Sequence, residues 1–495
     1  MAKHGGWLHK LAMFAALPGA GVQAALPVPP TRIGINLISP AYYKQSRAFA
    51  NLALGSGWVS KAPGFTKLGP DVVDKDGNLK MVPGGQPVMR MLSQPNAGKG
   101  DATIRCTYSG HGDIRPSLGV QDVKSGQGNF TFRWRSNGYK NSLIMLKVFA
   151  VDPADPIRNL DCREADLPAN QRFDAQFLDF VRPFKVIRFM DWQNINANRP
   201  VTWASRHTPA SLNILEDDGV AIEDMVGLVT QTGADAWFNM PWNADDDYVR
   251  HFAQYVHDHL PRGQKVYVEL GNEVWNQIFL MSKQAAQEGQ AEGLAPDPDK
   301  GRLFRYAERL TQVMDIWAKV FADRPGQLVR VANWQNYPHR VDMVLGYKDT
   351  AKHVDALATA PYFGYDFRKN PPGDGGSAFD RLNSGMDQSL GIALESKAVA
   401  AKYGKRYIAY EAGQHVVLDD QALAEQLQRD PRMYDAYKRY LNLWRRQIGD
   451  TIMLYASVQP IGKNGSWGLL EYLGQPLAEA PKMRAVSEVL HDLQR

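Results

Sequence analysis

Cysteine is almost missing from this chain: Cys106 and Cys162 are the only two in 495 residues. They allow at most one disulfide in an oxidising compartment, and two buried free thiols fit the sequence equally well. Long hydrophobic runs are missing too. No stretch of eighteen apolar residues is present, which excludes a helix that spans a bilayer. Charge of one sign is scarce, with 57 Lys and Arg set against 52 Asp and Glu. The basic residues are scattered without a dense stripe, so no nucleic-acid footprint is drawn. No internal repeat points to a solenoid or propeller. Nor does a cluster of metal ligands accompany the acidic run Asp245-Asp246-Asp247, which reads as a helix start rather than a metal site.

What is present is a long chain with 44% hydrophobic and 10% aromatic residues, more than one core usually serves, so a barrel-sized domain plus an accessory region is expected. Residues 1–24 read as a signal peptide. Lys3 and Lys10 supply positive charge, Leu11 to Leu17 form a short apolar stretch, and Val22-Gln23-Ala24 fits a small-residue cleavage site. The expected location is therefore the periplasm or the outside of the cell.

From about residue 170 onward short apolar runs alternate with amphipathic stretches, the mark of repeated βα units around a parallel sheet. Seven strands are expected, at 185–190, 236–240, 265–270, 328–332, 354–360, 406–410 and 451–456. Thr31 to Leu37 supplies an eighth, which closes a (β/α)8 TIM barrel formed by residues 25–54 and 166–495. Between the first and second of these strands lie about 150 residues, far more than a βα connection takes. Residues 55–165 show period-two patterns: Ala102, Ile104, Cys106 and Tyr108 alternate with polar neighbours, as do Phe130, Phe132 and Trp134. An inserted small all-β domain is expected there. The segment from Asp245 to Leu260 places Val249, Phe252, Val256 and Leu260 on one helix face. The stretches 280–301 and 366–389, rich in Gly, Pro and Asp, read as long loops walling a cleft.

Two segments carry chemistry. Lys265 to Asn276 (KVYVELGNEVWN) puts Asn272 and Glu273 just past the end of the fourth strand, on the face where barrel enzymes place their active sites. Arg406 to His415 (RYIAYEAGQH) ends the seventh strand with Glu411, on the same face. Two such carboxyls suit glycoside hydrolysis, in which a protonated group protects the leaving oxygen and an ionised one attacks or stabilises the sugar cation. Glu269 has the side-chain parity of Glu273 but lies deeper, so it is expected to be a buried partner of an arginine.

In order, spacing and the GNEVWN and YEAG segments, the chain resembles clan A of the glycoside hydrolases, without matching any one family within it. The resemblance implies Glu273 as acid/base, Glu411 as nucleophile and Asn272 as a ligand of the hydroxyl next to the reacting carbon. It further implies that Tyr362 hydrogen-bonds the nucleophile, that Arg188 lies near it as a fixed cation, and that Trp467 lies under the reacting sugar. Trp242 and Trp334, with Trp192 and Trp275, end strands where a sugar ring could stack on them. His207 and His415 flank the expected mouth, as sugar ligands or as satisfied structural histidines. The expectation is a secreted retaining β-glycosidase acting on a polysaccharide or oligosaccharide, with no cofactor and no metal. A non-catalytic carbohydrate-binding protein and a transglycosylase are the alternatives. Oligomeric state is not legible.

Overall fold

The computed structural model describes residues 28–60, 65–95, 100–135, 143–215, 219–364, 367–372, 375–463 and 465–495. Residues 1–24, expected to be a signal peptide, lie outside them.

Eight short strands close a parallel barrel: β1 (Arg32–Asn36), β2 (Val186–Arg188), β3 (Asp235–Met240), β4 (Val266–Leu270), β5 (Leu328–Asn333), β6 (Ala356–Thr359), β7 (Arg406–Ala412) and β8 (Thr451–Leu454). Every residue of β3, β4, β6 and β8 is buried, as expected of parallel strands with helices outside and side chains filling the inside. The inner layer is built from Val186, Trp237, Tyr267, Val329, Val331, Ala356, Ala358, Ile408, Tyr410 and Met453. Trp237 stacks on Tyr267 with ring centroids 5.0 Å apart. The barrel is thus a packed core below and a polar mouth above.

Helix α1 (Asp246–His259) begins where the acidic run stands. Asp245 caps it by accepting from the Tyr248 amide at 2.6 Å, and Asp246 and Asp247 fill its first turn. The two stretches expected as loops are largely helical. Residues 280–301 contain α2 (Leu280–Ala291) and the start of α3 (Pro298–Val320), and residues 366–389 run into α4 (Gly375–Lys402). Gly and Asp in these stretches suggested loops, but Leu, Met, Ala, Gln and Lys around them favour helix, and packing tolerates the glycines. Gly289 of α2 lies so close to Gly301 of α3 that a Cβ there would fall 2.2 Å from a backbone oxygen.

Between β1 and β2 in sequence stand two antiparallel sheets. One has four strands in the order 158–164, 102–109, 129–134, 120–126. The other has five, in the order 66–67, 58–60, 88–92, 144–151, 112–117. Ile104, Cys106, Phe130, Phe132 and Trp134 point inward and are buried. Cys106 and Cys162 are bonded across neighbouring strands, which decides between the bridge and two free thiols. Buried apolar residues run without a break from these sheets into the barrel. Polar contacts join the two as well: Arg90 donates to the Leu212 carbonyl at 2.7 Å, and the Leu212 amide to the Asp76 carbonyl at 2.7 Å.

Candidate active site

At the top of the barrel the side chains change from apolar to polar, and Arg188 stands at their centre. It is fully buried, and each of its five N–H groups has an acceptor. Nε and Nη2 form a fork on Glu269 at 2.9 Å each, and Nη2 also reaches Asn272 Oδ1 at 3.0 Å. Nη1 donates to Glu411 Oε1 and to Asn36 Oδ1, both at 2.8 Å. Burial works to lower the Arg188 pKa, but the two carboxylates outweigh it and hold the guanidinium above its ordinary value. Glu269 is the buried partner of an arginine that the parity of β4 foretold. It also accepts from Trp237 Nε1 at 2.7 Å and Asn333 Nδ2 at 2.5 Å.

Glu411 accepts from Arg188 on one oxygen and from the Tyr362 hydroxyl on the other, at 2.8 Å. Its position depends on an irregularity in β7. Ile408 and Tyr410 belong to the barrel interior, so regular alternation would turn Glu411 outward. The register with β8 shifts between Ala409 and Ala412, and this lets consecutive residues Tyr410 and Glu411 both face the mouth.

Glu273 is aimed by its backbone. Gly271 and Glu273 both have positive φ, 62° and 46°, the second uncommon for a residue with a side chain. Tyr410 donates to Glu273 Oε1 at 3.2 Å and Asn276 Nδ2 to Oε2 at 2.8 Å. Burial first, and the charge of Glu411 second, push the Glu273 carboxyl up to about 8, so at neutral pH it holds a proton.

Asn272 accepts from Arg188 and donates to Asn196 Oδ1 at 3.2 Å. Trp467 is partly exposed and lines a cavity of about 320 Å³ together with Asp191, Lys44 and Tyr455. Its loop is fixed from below: the Ser466 carbonyl accepts from Gln414 Nε2 at 2.7 Å and from the buried Lys482 Nζ at 2.8 Å. Gly465 is required there, because a Cβ would lie 2.1 Å from the Trp467 ring. His415 accepts from Trp467 Nε1 at 3.3 Å and so supports that ring. A second cavity, of about 310 Å³, opens on the other side of the carboxyls, between Glu273, Trp275, Tyr362 and Gln388 of α4.

Four expected sugar contacts lie elsewhere. Trp242 and Trp334 are 5% and 3% exposed, the first beside Glu288 and Arg305, the second against Tyr306, so neither offers a ring face to a ligand. Trp192 is buried in the same way, stacked on Phe177. His207 is also buried, its Nδ1 donating to the Gly219 carbonyl at 2.7 Å. A residue at a strand end can turn under the neighbouring helix as readily as into the mouth, and the sequence pattern does not separate the two. Residues that the sequence reading passed over are Asn36, Tyr410, Asn276 and Asp191. Burial, followed by the charge of Glu411, raises the Asp191 carboxyl to about 6. A polar residue on the interior parity of β1 or β7 was the available signal for Asn36 and Tyr410. Among the described residues no group of three His, Cys, Asp or Glu is placed to hold a metal.

A scan against protein-family models and a search of curated proteins give no match. Solved structures similar to this chain include a GH51 arabinofuranosidase from Xanthomonas axonopodis pv. citri, with 14% identity, a TM-score of 0.40, and coverage of 60% of this chain and 62% of that one. An alpha-L-arabinofuranosidase from Thermotoga maritima gives 14%, 0.37, and 58% of each chain. A beta-glucosidase from Thermotoga maritima gives 11%, 0.38, and 63% and 84%. The chain thus spans about three fifths of the length of the two arabinofuranosidases. At that level of likeness nothing about substrate passes from those proteins to this one.

Proposed function

We propose that the protein is a retaining glycoside hydrolase acting on a polysaccharide or oligosaccharide, with Glu411 as nucleophile and Glu273 as acid/base. One observation carries this reading: Glu273, whose burial favours the protonated form, stands beside Glu411, whose two oxygens accept from a guanidinium and a tyrosine hydroxyl. The reaction needs that difference between its two carboxyls.

In the first step Glu411 attacks the anomeric carbon while Glu273 gives its proton to the departing glycosidic oxygen. The glycosyl ester forms as the C–O bond breaks. In the second step Glu273, now ionised, takes a proton from water, whose oxygen displaces Glu411. Arg188 stays charged throughout and offsets the charge that returns to Glu411 as the ester is cleaved. Asn272, fixed by Arg188 and Asn196, presents its amide to the sugar beside the reacting carbon, and the Trp467 ring supplies an apolar face for it.

Export to the periplasm or beyond is part of the same proposal, supported by the amino-terminal pattern and by a disulfide suited to an oxidising compartment. Screening a polysaccharide panel for new reducing ends tests the function. Wild type releases sugar from at least one member and Glu411→Gln from none. Equal release by both proteins removes Glu411 from the chemistry.

A further inference from the structure

Tyr410 is fully buried, adjacent in sequence to Glu411 and hydrogen-bonded to Glu273, yet the steps above give it no part. Its hydroxyl has one proton and two neighbours. The Trp275 indole can only donate, and its Nε1 donates to the Tyr410 oxygen at 3.2 Å. The Tyr410 proton is thereby left to Glu273 Oε1, also at 3.2 Å. Burial first, then the charges of Glu273 and Glu411, push the phenol well above its ordinary pKa, so the hydroxyl remains a donor. The Arg188 guanidinium lies over the ring, 5.3 Å from its centroid, and Asn36 Nδ2 donates to the Tyr410 carbonyl at 3.1 Å, so ring and backbone are both held.

Each oxygen of Glu273 therefore accepts from a fixed neutral donor, Oε1 from Tyr410 and Oε2 from the Asn276 amide at 2.8 Å. A carboxyl proton then has to sit on a lone pair that neither donor uses, and Glu273 lines the cavity of about 310 Å³ beside it. The same donors bear on the second step. While Glu411 is ionised, its charge helps to keep Glu273 protonated. Esterification removes that charge, whereas the two donors stay, and a donor to a carboxylate favours the ionised form.

We propose that Tyr410 is a positioning residue for Glu273: with its hydroxyl turned by Trp275, it keeps the acid's proton directed at the leaving oxygen in the first step and supports the ionised carboxylate as base in the second. Tyr410 keeps its own proton throughout. The proposal rests on the hydrolase reading and adds to it a residue that acts through Glu273. The other charged and titratable groups acting on Glu273 are Glu411 of β7, Arg188 of β2, Tyr362 after β6 and Tyr455 after β8, and Glu269 of β4 acts on Tyr410. Tyr410→Phe alters none of them and keeps the ring.

A 13C NMR titration of protein labelled at its Glu side-chain carboxyls, with the Glu273 signal assigned by its absence from Glu273→Gln, reads the effect without a substrate. Glu273 titrates at about 8 in wild type and about one pH unit higher in Tyr410→Phe. Trp275→Phe, which frees the Tyr410 hydroxyl to turn, moves it the same way by less. Reactivation of protein trapped with a 2-deoxy-2-fluoro glycosyl fluoride reads the second step. It rises with pH as Glu273 ionises, and in Tyr410→Phe that rise lies at higher pH, so reactivation on its acid side is about tenfold slower. Fluoride departs with little help from an acid, so labelling stays within about twofold of wild type. A role in packing alone would slow both steps at every pH and leave the titration unmoved. Glu273 titrating at its wild-type position in the folded variants overturns the proposal, as does a reactivation profile that does not move. If no fluorosugar labels Glu411 in wild type, the hydrolase reading fails, and the titration still decides whether Tyr410 governs Glu273.

Discussion

The barrel mouth and the accessory sheets are both buried and both precise, yet they are held by opposite means. In the sheets, alternating Ile, Phe and Trp side chains face inward and one covalent bond ties strand 102–109 to strand 158–164. In the mouth, one guanidinium holds two carboxylates and two amides through five hydrogen bonds, with few apolar contacts to fall back on. Apolar packing degrades gradually when one member is changed, because neighbours partly close the gap. A buried ionic network does not, because removing one partner leaves the others charged and unpaired. The mouth is therefore the place where single substitutions should cost most, and the sheets the place where folding suffers but chemistry does not.

Four substitutions put that contrast to the test. Glu273→Gln, nearly isosteric, should lower kcat/KM by roughly 10²–10⁴-fold while leaving the melting temperature close to that of wild type. In the wild type the raised pKa of Glu273 means the acid is present below about 8 and lost above it, so kcat/KM should fall as pH rises through about 8. That limb should vanish in the variant, and a limb that persists unchanged assigns it to another group.

Arg188→Met should lower stability in urea by about 3–5 kcal/mol, since Glu269 and Glu411 remain buried without their cation. A variant as stable as wild type would show that the network does not hold the mouth. Replacing both Cys106 and Cys162 by Ala should cost about 2–4 kcal/mol with the turnover of the folded fraction unchanged. Loss of turnover without loss of stability there would erase the distinction between the regions. Smallest is Tyr362→Phe, which removes one hydrogen bond to a charged group and should cost about 1.5–3 kcal/mol in kcat/KM, with KM little affected.

The same contrast explains what the sequence made legible. Largely apolar runs of five to seven residues located all eight barrel strands, because a buried parallel strand has to be apolar on both faces. Alternation located two of the accessory strands, 102–109 and 129–134, for the equivalent reason on one face. Strand parity marked Glu269 as the buried partner of an arginine, and position at a strand end singled out Glu273 and Glu411. The pattern could not show that β7 shifts register between Ala409 and Ala412, which is what brings Tyr410 and Glu411 to the same side. Nor could it separate Trp467, which lines a cavity, from Trp242 and Trp334, which turn under helices. The loops expected at 280–301 and 366–389 failed for a related reason: composition weighs single glycines, whereas helix formation responds to the whole segment and its packing.

The account stands on Glu411 as the attacking group. Incubating the protein with 2-deoxy-2-fluoro glycosyl fluorides of gluco, manno, galacto, xylo and arabino configuration, followed by intact-mass and peptide mass spectrometry, examines that directly. One of these sugars should add its glycosyl mass once per chain, on the peptide that contains Glu411, and the adduct should be absent from Glu411→Gln. Labelling of a different carboxylate, or an adduct that survives in Glu411→Gln, would contradict it.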